Sequence, residues 1–369
     1  MSLVIKSVQL KQFRNYKEFL LEDLETLTIF VGKNAVGKTN IIEGIRLLTG
    51  ISPLRNVKVK DYILDGEKEA SVAIRVIGDN RDLLLKTSIT EGKRKYFINE
   101  KAKTITEMRG IVPSVVFTPD DLSIVKGTSR NKRKALDNLG FQINVNYAKV
   151  VKDYEQIIRQ KNKLLKEEKD ATFLDSINEV VLTCGTQLLC YRLRLFQVIK
   201  PYVESCYKEI SGNNEECELH YISCWDEELT LYEINKEKFR SALENEQKEK
   251  QKQEEQRGLS IVGPHSDKIV FLINGKDASN FGSQGQQRSL VLAWKISEAK
   301  VIQGILGVDP ILLLDDVMSE LDSTRRKQLT KFALQGMQTF ITTTTLDYFT
   351  EELLAHARII QLPHVKEVE

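Results

Sequence analysis

The stretch LTIFVGKNAVGKTNIIEGIRLL, residues 27–48, decides the fold. Its first five residues, Leu27–Val31, are mostly apolar, which is typical of a buried strand. Residues 39–48 carry Ile41, Ile42, Ile45 and Leu48 at helical spacing and predict a helix. Between the two, residues 32–39 fit the pattern G-x-x-x-x-G-K-[ST]. Strand, glycine-rich loop and helix in this order predict an α/β fold with a phosphate-binding loop.

The residues of this loop suit a nucleoside triphosphate. Gly32 and Gly37 let the backbone turn and bring its N–H groups close to phosphate oxygens. Lys38 can reach the β- and γ-phosphates, and the Thr39 hydroxyl can bind Mg²⁺. The phosphates would also meet a helix N-terminus, which favours anions. We therefore predict that ATP and Mg²⁺ bind to the loop, which comprises Gly32, Lys33, Asn34, Ala35, Val36, Gly37, Lys38, Thr39 and Asn40.

Composition limits the class of protein. A chain of 369 residues, 41% of them hydrophobic, is long enough for two or more domains with a sizeable core. No apolar run approaches the ~18 residues of a membrane span, and the start lacks the apolar region of a signal peptide, so we expect a cytoplasmic protein without a membrane partner. Because the formal net charge is only +2, any DNA site must be a local basic patch.

The five cysteines all lie between Cys184 and Cys224 and contain no C-x-x-C pair, which suits reduced thiols. Cys217, His220 and Cys224 could hold a metal ion, but their spacing is not that of a zinc site. We favour ordinary packing for these residues.

The pattern along the chain changes twice. Residues 1–122 are rich in strand-like alternation, with three runs between positions 70 and 100, and residues 123–257 have mainly helical periods. Residues 236–257 have almost no apolar face, which predicts a solvated helix or a mobile connector. Residues 258–369 return to the mixed pattern, with a hairpin signal at Asn274 and Gly275. We therefore predict an ATPase lobe, formed by residues 1–122 and 258–369, with a helical arm of residues 123–257 inserted.

A second set of site residues follows the apolar strand at 311–314. Asp315 and Asp316 would lie at the carboxyl end of this strand, where open α/β sheets bind ligands. Asp315 would hold Mg²⁺, and Asp316 would orient or deprotonate the attacking water. The alternative is an ordinary acidic turn, which we disfavour because of the upstream loop.

A glycine-rich polar segment before a long helix, NFGSQGQQRSLVLAWKISEAKVI at 280–302, offers a second helix N-terminus and a free serine for phosphate. One loop does not need two such contacts from the same subunit. We therefore predict that Ser283 and Gly285 contact the nucleotide of a second copy, so that ATP joins a symmetric dimer.

These motifs in this order, with SELD at 319–322, resemble an ABC-type ATPase of the SMC-like group. Further stretches resemble the bacterial RecF family: LKQFRNY (10–16), VVFTPDDLSIVKG (115–127), VGPHSD (262–267), FGSQGQQRSLVLAWK (281–295) and LLLDDVMSELD (312–322). The similarity covers nearly the whole chain. It implies an ABC-type head, with a mixed sheet flanked by helices, an antiparallel β subdomain and an inserted helical arm.

The resemblance also implies a function. Such proteins act in DNA repair, dimerise with ATP, bind double-stranded DNA or its junctions with single strands, and help RecA load at gaps together with RecO and RecR. In this chain Lys38 and Thr39 correspond to the P-loop ligands, Asp315 to the Walker B carboxylate and Asp316 to the catalytic position. The signature corresponds to Ser283, Gln284, Gly285 and Gln286, and the D-loop to residues 319–322 with Ser319 and Asp322. Arg14 lies in the segment that SMC-like proteins place near nucleotide or DNA.

Several positions depart from this pattern. The usual glutamine between the P-loop and the arm is missing, because no glutamine occurs between Gln12 and Gln142; Asp120 or Asp121 could replace it as a further metal contact. Threonines at 343–345 occupy the place of the usual switch histidine, and VGPHSD lacks the arginine expected after its histidine. Because Asp316 is shorter than the glutamate of most ABC ATPases, we predict slow, DNA-stimulated hydrolysis that acts as a timer.

Basic residues predict where DNA would bind. The segment KGTSRNKRKALDNLG contains Lys126, Arg130, Lys132, Arg133 and Lys134, and a smaller run contains Lys58 and Lys60. Lysine and arginine bind DNA phosphates without regard to sequence. The alternative is an ordinary solvated charged surface. No helix-turn-helix or zinc finger that could read bases is recognisable.

Two other classes of protein remain as alternatives. A transporter ATPase subunit would have its signature closer to the P-loop and no long helical insert. Another SMC-like ATPase, such as one linked to a defence system or a nuclease, usually carries an added catalytic domain. We favour the DNA-binding ATP switch over both.

Overall fold

The computed structural model describes residues 3–49, 57–78, 81–167, 171–225, 228–229 and 234–363, with 171 and 172 described by their backbone alone. The chain divides into two units. The first comprises Met1–Asp121 and Trp294–Glu369, and the second comprises Leu122–Ala293. The second unit thus contains the predicted arm and also residues 258–293, which the sequence pattern had grouped with the ATPase lobe.

A five-stranded sheet forms the centre of the first unit, and its described strand pairs are all parallel. Its strand order is β14-β3-β13-β12-β8. Every residue of β3, β12 and β13 is buried, as expected for central parallel strands. The strands are β3 (Leu27–Val31), β8 (Ser114–Phe117), β12 (Ile311–Asp315), β13 (Thr339–Thr343) and β14 (Arg358–Gln361).

An antiparallel sheet of six strands is the second layer of this unit, with the order β2-β1-β4-β5-β6-β7. It contains the three strand runs predicted between positions 70 and 100. Its strands are β1 (Val4–Phe13), β2 (Tyr16–Leu21), β4 (Glu69–Gly78), β5 (Arg81–Thr90), β6 (Lys93–Ile98) and β7 (Lys101–Lys103).

Helix α1 (Lys38–Leu48) shares one hydrophobic core with both sheets. Ile41 and Ile45 of the helix pack in the same cluster as Val72 of β4 and Leu313 of β12. The predicted helix is thus confirmed, and its position is set by apolar burial on two sides. Three further helices belong to this unit: α2 (Ile105–Met108), α10 (Ser323–Ala333) and α11 (Glu351–Ala355). Short 3₁₀ helices occur at Val59–Tyr62, Pro119–Leu122 and Val317–Glu320.

The second unit is mainly helical. It contains α3 (Ser123–Lys126), α4 (Ser129–Ile143), α5 (Val145–Lys166), α6 (Ala171–Ile210), α7 (Lys236–Arg257) and α8 (Ala278–Phe281). Helix α9 (Gln284–Leu306) begins in the second unit and ends in the first. None of the helices in the described part of the chain is both long and apolar enough to cross a bilayer.

A small antiparallel sheet of order β11-β10-β9 explains why residues beyond 257 belong to the second unit. Its strands are β9 (Cys217–Ile222), β10 (Lys268–Ile273) and β11 (Lys276–Asp277). Strand β10 pairs along its whole length with β9, which the sequence pattern did not predict. The hairpin predicted at Asn274 and Gly275 is confirmed, and both residues have the positive φ angles, 50° and 73°, that a tight turn needs.

Helix α7 corrects one prediction. The sequence predicts a solvated helix or a mobile connector for this segment. It is a helix, but it is not solvated on every side, because it buries Phe239, Leu243, Gln247 and Glu254. Two of these buried residues are polar and have partners: the Nε2 of Gln247 donates to the Oδ1 of Asn178 at 2.9 Å, and Glu254 lies 2.5 Å from the Nζ of Lys161. A search for apolar periodicity misses a buried face that is half polar.

Candidate nucleotide site

The P-loop connects β3 to α1, and its two glycines are required by their surroundings. Gly37 has a φ of 107°, and a Cβ atom there would lie only 2.6 Å from the Nδ2 of Asn15 and 2.8 Å from the hydroxyl of Tyr16. A Cβ at Gly32 would lie 2.8 Å from the carbonyl oxygen of Leu362. The intervening residues Lys33, Asn34 and Ala35 are exposed, Val36 and Asn40 are half-buried, and the tip of the loop is therefore accessible to a ligand.

Lys38 extends its side chain back across the loop. Its Nζ donates to the carbonyl oxygens of Gly32 at 2.7 Å and Lys33 at 2.9 Å. Burial lowers the pKa of Lys38, and the carboxylates of Asp316 and Asp315 oppose that shift. The amine is thus held in the loop, in the position where the sequence pattern places the phosphates.

Asp315 and Thr39 meet as the sequence predicts, although they are far apart in the chain. The hydroxyl of Thr39 donates to the Oδ1 of Asp315 at 2.9 Å. The same oxygen accepts a hydrogen bond of 2.8 Å from the hydroxyl of Thr342. A hydroxyl and a carboxylate side by side are the hard oxygen ligands that Mg²⁺ prefers, so the residues fit a magnesium ion.

Asp316 has an unusual backbone and an unpaired side-chain atom. Its φ is 53°, in the left-handed region, and its N–H donates to the hydroxyl of Thr342 at 2.9 Å. Its Oδ1 is buried without a hydrogen-bond partner among the described residues. A buried unpaired oxygen costs roughly 1–3 kcal/mol, so it is expected where a ligand or water will bind.

Thr342 is a site residue that the sequence analysis missed. It lies on β13, between β3 and β12 in the sheet, and it contacts both aspartates. The available signal was the run of four threonines at 342–345, because so many hydroxyls are unusual at the end of a buried strand. The threonines at 343–345 form their own turn, in which the Thr343 hydroxyl donates to the Thr345 carbonyl oxygen at 2.8 Å.

The D-loop residues have structural partners next to the aspartates. The hydroxyl of Ser319 donates to the carbonyl oxygen of Asp316 at 2.8 Å. Asp322 caps α10 by accepting from the N–H of Arg325 at 2.9 Å, and this bond is the main reason that its pKa is lowered. Ser319 therefore stabilises the backbone at Asp316, whereas Asp322 fixes the helix that follows.

The side chain of Arg14 binds other groups of the protein. Its Nε and Nη2 donate to the two carboxylate oxygens of Glu43 at 2.8 and 3.0 Å, and its Nη1 donates to the carbonyl oxygen of Asp61 at 2.7 Å. Its guanidinium also lies 4.7 Å from the ring centre of Tyr62. The neighbouring Asn15, which the sequence analysis did not select, is the residue that contacts the P-loop: its Nδ2 donates to the carbonyl oxygen of Val36 at 3.1 Å.

Asp120 and Asp121, the two candidates to replace the missing glutamine, differ in their surroundings. The Oδ2 of Asp121 accepts from the N–H of Thr118 at 2.6 Å, and its Oδ1 lies 3.1 Å from the Nζ of Lys295. Asp120 is exposed and precedes it in the same 3₁₀ helix. Asp120 is therefore the candidate with the more accessible carboxylate.

The signature residues lie in the second unit, at the start of α9. The N–H of Ser283 donates to the Oε1 of Gln286 at 2.8 Å, and the N–H of Gln286 donates to the Ser283 hydroxyl at 3.2 Å. The Nε2 of Gln286 also donates to Glu215 at 2.7 Å. Ser283 and Gln284 are exposed and Gly285 is half-buried. The reciprocal cap fixes the helix N-terminus and leaves the serine on the surface.

Five of the seven basic residues predicted to contact DNA are exposed. These are Lys58, Lys60, Lys126, Arg130 and Lys134. The other two are not available: Lys132 is buried with its Nζ 5.1 Å from the ring centre of Phe271, and the half-buried Arg133 donates to the carbonyl oxygen of Asp267. Helical spacing explains this, because one face of α4 must pack inward.

The cysteine-rich segment has ordinary contacts. Cys217 is buried in β9, and the Sγ of Cys224 accepts from the N–H of Gly263 at 3.2 Å. His220 pairs with Glu228 through a 2.6 Å contact of its Nδ1. Burial raises the pKa of both thiols to about 12. Within the described ranges, no three His, Cys, Asp or Glu residues are grouped as metal ligands.

A P-loop after one strand of a parallel sheet, paired aspartates two strands away and an antiparallel second layer define an ABC-type ATPase head. The family model described as the RecF/RecN/SMC N terminal domain matches residues 4–361, and the chain belongs to the RecF family within that group.

Relatives and solved structures agree with this assignment. The DNA replication and repair protein RecF of Cyanothece sp. (strain PCC 7425 / ATCC 29141) is 34% identical, with 98% of this chain and 96% of the relative covered. The protein of the same name from Streptococcus gordonii is 36% identical over 93% of this chain and 94% of its own length.

The solved structure of the recombination mediator protein RecF-ATPrS in the RecFOR pathway matches with a TM-score of 0.87 and 29% identity over 95% of this chain and 94% of that one. A Pyrococcus furiosus Smc head domain matches in fold alone, with a TM-score of 0.55 and 18% identity. The near full-length similarity to RecF argues against a transporter subunit and against another class of SMC-like ATPase.

Proposed function

We propose that the chain is an ATP-dependent DNA-binding protein of recombinational repair. Two copies join around ATP and Mg²⁺, clamp double-stranded DNA or its junctions with single strands, and separate after slow hydrolysis. With RecR and RecO, the dimer helps RecA to load at gaps. The observation that carries the proposal is the Thr39–Asp315 pair next to the unpaired Oδ1 of Asp316. The names of its relatives, which describe DNA replication and repair, support the biological setting.

The proposed chemistry assigns one role to each residue. Thr39 and Asp315 would hold Mg²⁺, which neutralises charge on the phosphates when bound. Lys38 would exchange its two loop carbonyl oxygens for phosphate oxygens. The Oδ1 of Asp316 would accept a hydrogen bond from the attacking water and take up its proton. Thr342 would position both aspartates through its hydroxyl.

The geometry at Asp316 supports the proposal of slow turnover. The aspartate side chain is one methylene shorter than glutamate, and the Thr342 hydrogen bond anchors its backbone. The carboxylate therefore has little freedom to approach a water molecule. We expect turnover well below the ~10 s⁻¹ typical of enzymes, with stimulation by DNA. A phosphate-release assay with and without duplex DNA tests this expectation, and rapid turnover without DNA would contradict it.

The signature supports a dimer as the active form. Ser283 is exposed at a helix N-terminus, and Phe281, two residues earlier, is 73% exposed. A second copy that presents its phosphates to Ser283 would also cover this aromatic ring. The experiment is size-exclusion chromatography with light scattering, with and without a non-hydrolysable ATP analogue. We expect the analogue to produce a dimer, and the Ser283→Arg variant to remain monomeric because the new side chain blocks the phosphate contact.

The exposed basic residues support binding to DNA phosphates. Each such contact contributes about 0.9 to the slope of log affinity against log salt. We therefore expect Arg130→Gln to lower that slope by about one and to weaken binding to all sequences equally. Lys101→Gln is the matched control, because Lys101 is also exposed but lies on β7, outside the predicted patches. An unchanged slope in Arg130→Gln would remove this residue from the interface.

A further inference from the structure

The first turn of α9 carries the signature, and a glutamate from the loop between α6 and β9 contacts it. The Nε2 of Gln286 donates to the Oε1 of Glu215 at 2.7 Å. We propose that Glu215 is a positioning residue for ATP hydrolysis: it fixes the side-chain amide of Gln286, which in turn directs the Ser283 hydroxyl at the nucleotide of a second copy. The inference rests on the proposed function, because it requires a nucleotide shared between two copies.

Ser283 and Gln286 form a reciprocal pair of hydrogen bonds at the start of α9. The N–H of Ser283 donates to the Oε1 of Gln286 at 2.8 Å, and the N–H of Gln286 donates to the Ser283 hydroxyl at 3.2 Å. Because the hydroxyl oxygen accepts from this N–H, its own proton points elsewhere and can donate to a phosphate oxygen. The pair does not use the N–H groups of Gln284 and Gly285, which lie at the positive end of the helix dipole. The cap therefore orients one hydroxyl beside two backbone donors that suit an anion.

This cap forms in only one orientation of the Gln286 amide. The amide has an acceptor, Oε1, and a donor, Nε2, and only the acceptor can pair with the N–H of Ser283. An ionised glutamate offers acceptors alone, so Glu215 binds the donor end of the amide and holds the acceptor end toward Ser283. Without an acceptor at position 215, the amide can turn its Nε2 toward the Ser283 N–H, and the cap opens.

Glu215 is itself held in place by the second unit. Its Oε2 accepts from the hydroxyl of Tyr207, a fully buried residue of α6, at 2.5 Å. The N–H of the adjacent Glu216 donates to the Oδ1 of Asn274 at 2.9 Å, and the N–H of Asn274 donates to the carbonyl oxygen of Glu216 at 2.9 Å. Asn274 begins the β10–β11 turn, and the chain continues from there through α8 to Ser283. The glutamate and the signature are thus anchored on the same hairpin.

The charge of Glu215 distinguishes positioning from simple electrostatics. Like charges repel, so a carboxylate near the phosphate site would, by its charge alone, weaken the contact with a triphosphate. Both oxygens of Glu215 accept hydrogen bonds from other side chains, which fixes the direction of the carboxylate. The two roles predict opposite results. If the charge dominated, removal of the carboxylate would raise the rate of hydrolysis, whereas a positioning role requires the rate to fall.

The first test is steady-state ATP hydrolysis by three variants. We expect Glu215→Ala to lower kcat at least about tenfold, because hydrogen bonds to charged groups contribute that much or more. Its KM for ATP should change less than about twofold, because the P-loop is intact. Glu215→Gln should keep most of the rate, because an amide oxygen can still accept from Gln286. Tyr207→Phe should fall between the two, because it removes one of the bonds that hold Glu215.

Glu255→Ala is the matched control. The Nε2 of Gln251 donates to the Oε1 of Glu255 at 3.0 Å on α7, so this variant removes the same kind of contact away from the signature. It should keep the wild-type kcat. If Glu215→Ala also hydrolyses ATP at the wild-type rate, or faster, the inference is overturned.

Mixed dimers separate a positioning role from a general loss of stability. Glu215→Ala keeps its P-loop, so an equal mixture with Lys38→Ala should hydrolyse ATP faster than either protein alone, because one site of each mixed dimer is complete. That recovery would also show that the variant is folded.

An equal mixture of Glu215→Ala with Ser283→Arg should stay at or below the rate of Glu215→Ala alone, because no site then has an undisturbed signature. Recovery in both mixtures, or in neither, would refute the inference. If Lys38→Ala and Ser283→Arg fail to complement each other, the result is a different one, because it rejects the shared site of the proposed function and the inference with it.

Discussion

Replacing Asp316 with asparagine tests the chemistry of the site with the smallest possible change. Asparagine has nearly the same shape as aspartate and tolerates the left-handed φ of 53° at this position, so the backbone bond to Thr342 should survive. The substitution removes the acceptor of the water proton. Loss of general-base catalysis lowers rates by about 10²–10⁴, which corresponds to roughly 2.7–5.4 kcal/mol in the activation barrier.

The assay is single-turnover hydrolysis with saturating ATP, combined with light scattering to follow the dimer. We expect Asp316→Asn to hydrolyse at least about 100-fold more slowly and to stay dimeric with ATP itself. Asp315→Asn serves as the contrast, because it removes the predicted Mg²⁺ ligand and should weaken the dimer with any nucleotide. A loss of less than about tenfold in Asp316→Asn would show that another group deprotonates the water.

Three further predictions concern stability and binding. Burial raises the pKa of Asp267 to about 6 and lowers that of His265 to about 4. Between pH ~4 and ~6 the folded state binds an extra proton at Asp267, so the contribution of Asp267 to stability falls as the pH rises. Between pH ~4 and ~6.5 the unfolded state binds an extra proton at His265, so the contribution of His265 to stability increases as the pH rises. These effects oppose each other, so Asp267→Asn should gain up to about 3 kcal/mol of stability between pH ~4 and ~6.5 in urea unfolding, whereas the wild type changes little. Glu254→Ala should lower the free energy of unfolding by about 3–5 kcal/mol, because it leaves the buried amine of Lys161 unpaired; chemical denaturation measures this loss. Gly37→Ala should abolish ATP binding in a calorimetric titration, because its Cβ would collide with the β1–β2 turn.

The nucleotide site was largely predictable from sequence because local patterns define it. Residues 27–48 formed the expected strand, loop and helix, and Asp315 ended its strand next to Thr39. The rule that parallel strands end at one edge of a sheet was enough to bring these residues together. The role of Thr342 could not be predicted, because it depends on which strand lies between β3 and β12. No local sequence pattern gives the order of strands in a sheet.

The second unit was harder to predict because polar residues build part of its interior. Helix α7 has buried Gln247 and Glu254 in place of an apolar stripe, and α4 buries Lys132 of the expected DNA patch. Strand β9 pairs with β10 and so places β10 in the second unit. The sequence after α6 has no clear strand pattern that would predict β9. Each of these features depends on partners distant in the chain, which charge and periodicity cannot identify.

A mixing experiment tests most directly whether each site is shared between two copies. Lys38→Ala removes the P-loop amine, and Ser283→Arg blocks the signature, so neither protein alone should hydrolyse ATP. In a mixed dimer, the intact loop of one copy meets the intact signature of the other. We therefore predict that an equal mixture recovers roughly a quarter to a half of the wild-type rate, because each mixed dimer has one complete site out of two and the Ser283→Arg protein does not dimerise with itself. A mixture as inactive as its two components would contradict the account.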